Sequence, residues 1–118
     1  MKNIIVFILS VFTFTVAQGQ EKSTSVVEET FKVEGVCDMC KKRIESAALR
    51  TKGVKLAEWD KKTQDLKVVY NSNKTSEEAI KQAVADHGHE TATIPADTSA
   101  YQNLPACCRY KDGAKCEH

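Results

Sequence analysis

This sequence has almost no net charge. Its 17 lysines and arginines face 16 aspartates and glutamates, a formal charge of +1. That balance excludes non-specific nucleic-acid binding, which needs a basic excess to displace counterions. After residue 17 there is no second long apolar run, so nothing later in the chain is composed to span a bilayer. No cysteine lies near the small residues that close the first apolar run, so a lipoprotein anchor is not indicated.

That first run has a clear reading. Ile4 to Ala17 is apolar except for Ser10, Thr13 and Thr15; Met1-Lys2-Asn3 precedes it and Ala17-Gln18-Gly19 follows. A short basic start, an apolar stretch too short to cross a membrane comfortably and small residues at the cut describe a secretory signal peptide. Cleavage before Gln20 removes Lys2 and leaves a formally neutral, soluble chain of about a hundred residues, the size of one small domain. The expected organisation is a leader over 1–19, a flexible lead-in over 20–25, a folded domain over 26–95 and a cysteine-rich tail over 96–118. The expected location is periplasmic or secreted, and the expected state a monomer. All five cysteines follow the leader, so at least one lies outside any intramolecular disulfide.

Two cysteines, Cys37 and Cys40, stand three apart after Gly35. They sit where an alternating run, Val26 to Val33, gives way to a helical pattern. Free N–H groups and the dipole at a helix start favour thiolates and lower thiol pKa, and Lys41-Lys42-Arg43 add positive charge. Such a pair, on an exposed Gly-flanked loop, suits a soft ion such as Cu(I) or Hg(II), and it also suits thiol–disulfide exchange. The spacing alone leaves both open.

The surrounding pattern narrows the choice. Val27, Glu29, Phe31 and Val33 alternate along a strand. From Cys40, the residues Ile44, Ala47, Ala48 and Thr51 trace one helix face, which Gly53 ends. Val54–Trp59 and Asp65–Tyr70 read as a hairpin about the turn at 60–63. Thr75 or Ser76 caps a second helix with Ile80, Ala83, Val84 and His87 on its inner face, ended by Gly88. Glu90 to Ile94 reads as a fourth strand. The order βαββαβ predicts an α+β, ferredoxin-like sandwich: a four-stranded antiparallel sheet with both helices on one face. Its expected core is Val33, Ile44, Ala48, Val54, Leu66, Val68, Ile80 and Val84, with Trp59 packing on the sheet.

The loop Gly35-Val36-Cys37-Asp38-Met39-Cys40 opening the first helix of such a domain resembles the heavy-metal-associated domain. Ile44-Glu45, Gly53-Val54 and Gly88 add to the likeness. That family includes copper chaperones, domains of copper-pumping P-type ATPases and the periplasmic mercury-binding protein. The resemblance implies that Cys37 and Cys40 are the metal ligands. It departs in two places: one residue, Val36, separates Gly35 from Cys37, so the family's usual methionine is absent, and His89 replaces a common aromatic. In similar copper chaperones a histidine there approaches the metal, which makes His89 an accessory candidate.

The tail adds Cys107, Cys108, Cys116 and His118. Leu104-Pro105-Ala106-Cys107-Cys108 resembles exported domains of bacterial metal-efflux systems. Tyr101 to Leu104 suits a helical turn, and the rest reads as irregular. Neighbouring cysteines rarely pair with each other; Cys116 linked to Cys107 or Cys108 would staple the tail, and equally these thiols suit a second soft-metal site or reach Cys37 and Cys40. Met39 reads as an exposed loop residue able to add a thioether contact. His87 reads as a helix-end residue meeting carbonyls, and Lys41, Lys42 and Arg43 as a solvated face able to guide an acidic partner.

The function these readings favour is a non-enzymatic carrier of Cu(I), handing its ion by thiolate exchange to a metal-transporting ATPase or efflux-pump component. Hg(II) binding in mercury resistance keeps the same ligands, and Zn(II) is a further candidate. An exported thiol–disulfide oxidoreductase lacks an obvious acid, base or thioredoxin-like setting. A disulfide-stapled interaction domain without metal completes the alternatives. Sulfurs permanently bonded to each other, or sealed in the interior, would end the case for a carrier.

Overall fold

β-branched and aromatic residues alternating with polar ones draw the chain into three strands. The computed structural model describes residues 25–113. The leader, most of the lead-in, Cys116 and His118 lie outside the described residues. Strand β1 (Val26–Lys32) pairs antiparallel with β3 (Asp65–Asn71), and β3 pairs antiparallel with β2 (Val54–Trp59), giving the order β1-β3-β2. Register sets Phe31, Leu66 and Trp59 in one cross-strand row, and Glu29, Val68 and Ala57 in the next. Leu66, Val68, Tyr70, Ala57, Trp59 and Phe31 are buried, while the intervening Lys67, Glu58 and Thr30 are exposed, so one face is covered and the other wet.

The covering layer is two helices. Helix α1 (Asp38–Arg50) buries Cys40, Ile44, Ala47 and Ala48, and carries Asp38 in its first turn and Arg50 in its last, each favourable to the helix dipole. It begins two residues before the position that the apolar pattern suggests. Helix α2 (Glu77–Asp86) is capped by Ser76, whose Oγ accepts the Ala79 N–H at 3.2 Å, and buries Ile80, Val84 and Ala85. His87 closes it, with Nδ1 2.6 Å from the Ala83 carbonyl oxygen, the carbonyl-capping role its position suggests. The anticipated core residues are buried except Val54, which is half-buried. No helix among the described residues is long and apolar enough to cross a membrane.

The expected fourth strand is absent, and the sheet has three strands. Only an isolated antiparallel bridge, Val33 to Thr91, and the Glu34 N–H to Glu90 carbonyl bond (2.9 Å) stand in its place. The backbone groups a ladder needs are used locally. The Glu90 N–H donates to Tyr110 Oη at 2.9 Å. The Ile94 N–H donates to Thr91 Oγ1 at 3.0 Å and the Thr91 N–H to the Ile94 carbonyl at 3.0 Å, closing a turn. Pro95 has no N–H to offer.

The tail is ordered rather than irregular through Gly113. It forms a short helix α3 (Thr98–Gln102), which takes in the Tyr101 end of the anticipated helical turn, and two 3₁₀ turns, Ala106–Cys108 and Tyr110–Asp112. The Asp97 N–H donates to the Ala85 carbonyl at 2.9 Å, and Leu104 and Cys108 enter the core. This docking runs over Gly88, which turns the chain at φ +95° and where a Cβ would stand 3.1 Å from the backbone of Ala100 and Tyr101. Gly88→Ala therefore combines left-handed backbone strain with a collision against the tail. It should lower stability by about 1–2 kcal/mol or more, read as a lower urea midpoint; an unchanged midpoint would contradict this packing.

Candidate metal centre

The loop between β1 and α1 rests on Trp59. The indole is buried and its Nε1–H donates to the Val33 carbonyl at 2.9 Å. The Trp59 N–H donates to Glu45 Oε2 at 2.8 Å, and Lys41 Nζ bridges Glu45 Oε2 (2.6 Å) and the Trp59 carbonyl (2.9 Å). Lys41 is thus half-buried and structural rather than part of a solvated face. Gly35 lies flat on this floor: a Cβ there would meet the Trp59 ring at 3.0 Å and Cys40 Cβ at 3.1 Å. Its carbonyl accepts from Gln64 Nε2 at 2.8 Å, which ties the loop to the β2–β3 turn.

Cys37 then serves as N-cap of α1, without a side-chain capping bond, and Cys40 follows on the first turn. Their sulfurs lie 3.6 Å apart. A third sulfur completes the group: Cys108 Sγ, from the tail, is 3.4 Å from Cys37 Sγ. The three sulfurs all lie within 4.8 Å of one another, and none is in a disulfide. Three sulfurs around one ion with bonds of about 2.3 Å stand about 4 Å apart, so a small expansion of this triangle fits a three-coordinate soft ion.

The setting differs from the exposed loop that the sequence suggests. Cys37 is 1% exposed, and Cys40 and Cys108 are 0% exposed. The pair is sealed because the tail folds back over it. Sealing also reverses the expected direction of pKa. Burial pushes the Cys40 thiol up, against backbone groups at Val36 and Cys37 that favour the thiolate. Burial pushes Cys108 up further; its contacts with Cys40 and Cys37 add to the rise, and the Arg43 guanidinium opposes it. Arg43 is half-buried rather than fully solvated, and turns its guanidinium towards Cys108 with Nη1 buried.

The other anticipated residues fall around this triangle. His89 is wholly buried, so it is no surface residue, and its nitrogens are not in the three-sulfur group. Its Nδ1 lies 2.9 Å from the Glu34 carbonyl oxygen, its ring stacks on Tyr110 at 5.7 Å, and its Nε2 has no hydrogen-bond partner. Cys107 is half-buried, with Sγ 3.6 Å from Met39 Sδ and 3.9 Å from Cys108 Sγ. Met39 is 46% exposed. Cys116 lies outside the described residues. Tyr110, which no local pattern marks, holds the tail: its hydroxyl donates to the Gly88 carbonyl at 2.8 Å while accepting from Glu90.

Two outcomes follow. Burial lowers the His89 pKa from 6.5 to about 4. A histidine depressed on folding contributes stability that is complete above its unfolded value and is lost as pH falls towards the folded one. Between about pH 6.5 and 4 the loss should reach about 3 kcal/mol, and His89→Gln should lack that component of the urea-midpoint profile. Tyr110→Phe strands the Glu90 N–H and the Gly88 carbonyl at a cost of about 1–3 kcal/mol. It should speed labelling of Cys108 by a thiol reagent; labelling at the wild-type rate would show that Tyr110 does not hold the tail.

Comparison with known proteins places this geometry among relatives. The heavy-metal-associated domain family matches residues 30–90. Copper chaperone CopZ of Staphylococcus haemolyticus is 35% identical over 66 residues, covering 55% of this chain and 97% of that protein. Among solved structures, a CopZ metallochaperone superposes with a TM-score of 0.54 at 30% identity, covering 56% of this chain and all of that one (100%). The N-terminal domain of a potential copper-translocating P-type ATPase from Bacillus subtilis, in its Cu(I)-loaded state, gives 0.53 at 28% identity, covering 56% and 84%. With its family match running from the end of β1 through the sulfur loop, both helices and the β2–β3 hairpin, this chain belongs to the heavy-metal-associated domain family.

Proposed function

We propose that this protein is an exported Cu(I) carrier that holds its ion through Cys37, Cys40 and Cys108 and passes it to a metal-transporting ATPase or efflux component. Cys37 and Cys40 are sealed, which is one of the outcomes set against a carrier; the observation that carries the reading nonetheless is that the seal is the tail itself, which brings a third sulfur, Cys108, within 4.8 Å of the other two with none of the three in a disulfide. Copper chaperones and a Cu(I)-loaded ATPase domain among the relatives support the choice of ion and partner. The apolar leader at Ile4 to Ala17 supports export.

The chemistry is ligand exchange without change of oxidation state. Soft thiolates match a d¹⁰ ion, and binding replaces the thiol protons. Because burial holds Cys40 and Cys108 in the protonated form, loading releases protons to solvent, and apparent affinity rises with pH through the neutral range. A closed three-sulfur cage also shields the thiols from oxidation, which an exported pair needs. Transfer then requires a route for the ion past the tail that seals the cage.

Competition with a chromophoric Cu(I) chelator under reducing conditions tests this. Cys37→Ser/Cys40→Ser should weaken binding by about a thousandfold or more, some 4 kcal/mol. Cys108→Ser should weaken it by about ten- to a hundredfold and reduce the sulfur coordination number from three to two in X-ray absorption. Equal affinity in the double serine variant overturns the assignment.

A further inference from the structure

The sulfur cluster does not end at the buried triangle. The 3₁₀ turn Ala106–Cys108 advances about a third of a turn per residue, so neighbouring side chains point about 120° apart. One cysteine therefore faces the core and the next faces outward. Cys108 completes the cage. Cys107, half-buried, stands 3.9 Å from Cys108 Sγ and 3.6 Å from Met39 Sδ. Met39 comes from a place 68 residues away, on the first turn of α1 between the two loop cysteines, and is 46% exposed. The result is an unbroken line of soft donors from solvent to the interior: Met39, Cys107, Cys108, then Cys37 and Cys40, each step 3.4 to 3.9 Å.

We propose that Met39 and Cys107 form a second, outer soft-metal site, the station through which a monovalent d¹⁰ ion passes between solvent or a partner and the buried cage. The proposal rests on the carrier reading above. Chemically, the Cys107 thiolate and the Met39 thioether each offer a lone pair to the ion, and the Cys107 proton leaves to water. Cys108 Sγ then donates its own pair to the same ion as its proton leaves, and the bond to Met39 breaks with the pair retained on sulfur. Cys37 and Cys40 then bind the ion as their protons leave to water; the Cys107 bond breaks last, with the pair retained on sulfur, and its thiolate takes a proton back from water. The ion stays monovalent throughout. Release runs the same steps backwards. A thioether is a weak, uncharged ligand, which suits a station that must let go. Successive sulfurs are close enough to share one ion, so no step leaves it without a ligand.

The test uses the full mature chain loaded with one equivalent of Cu(I) and measures two quantities. Equilibrium affinity comes from chelator competition, and the transfer rate comes from stopped-flow mixing with the same chelator. Met39→Leu/Cys107→Ser should keep the affinity within about threefold of wild type while slowing transfer about tenfold or more in both directions. Met39→Leu alone, a conservative change at an exposed position, should slow it by a smaller factor. Two results overturn the proposal: a double variant that exchanges at the wild-type rate, or one that loses affinity as severely as Cys108→Ser, which would make these residues part of the cage. The carrier reading fails separately, if wild type holds Cu(I) no tighter than Cys37→Ser/Cys40→Ser.

Discussion

A sulfur near the end of the chain rests 3.4 Å from one near its beginning, across 71 residues of sequence. That contact between Cys108 and Cys37 decides the character of the site. It excludes water from the loop, and water is what would otherwise stabilise a thiolate. A helix dipole favours an anion by about 0.3–1 kcal/mol at an exposed end. Removing a charged group from water can move its pKa by several units. Burial therefore wins, and Cys40 and Cys108 are held as neutral thiols. The group best placed to reward their ionisation is a cation among them. Arg43, whose buried Nη1 has no partner, would then gain the negative neighbours it lacks.

The rest of the domain serves to hold this arrangement still. Trp59 is the shared support: its ring underlies Gly35, its indole N–H binds Val33, and its backbone is gripped by Glu45 and Lys41. The loop is fixed from the sheet side, and Gln64 fixes it again from the hairpin turn. The cap over it is fixed differently. It is joined to Ala85, Gly88 and Glu90 by hydrogen bonds, stacks Tyr110 on His89, and buries Leu104 and Cys108 in the core.

What could be read in advance divides along physical lines. The helix faces were legible because Ile44, Ala47 and Ala48, like Ile80 and Val84, follow the 3.6-residue period. The hairpin was legible from alternation on both sides of a polar turn. The sulfur pair was legible because glycine and cysteine spacing is a local signal. Its burial was not, since it depends on a tail with no apolar periodicity folding back over the loop. Glu90–Ile94 has the composition of a strand; beside the Thr91–Ile94 turn, what takes its place is a bond from the Glu90 N–H to the hydroxyl of Tyr110, twenty residues on. His89 was misplaced for the same reason, because the ring that covers it also comes from Tyr110. Local pattern found the elements, and non-local contacts set the environment of the sulfurs.

Replacing a fourth strand by a single bridge leaves β1 as an outermost strand along most of its length. Unladdered N–H and C=O groups on such a flank invite a second chain to add itself, the first step of aggregation. Here the flank carries exposed Glu28, Thr30 and Lys32 in alternation, with Val26 the one exposed large apolar residue at its start. Charged and polar side chains of that kind along an edge are the common device against such pairing, because a second strand would have to desolvate them. The strand that leads straight into the sulfur loop is thus also the one whose open edge is guarded only by its polar side chains.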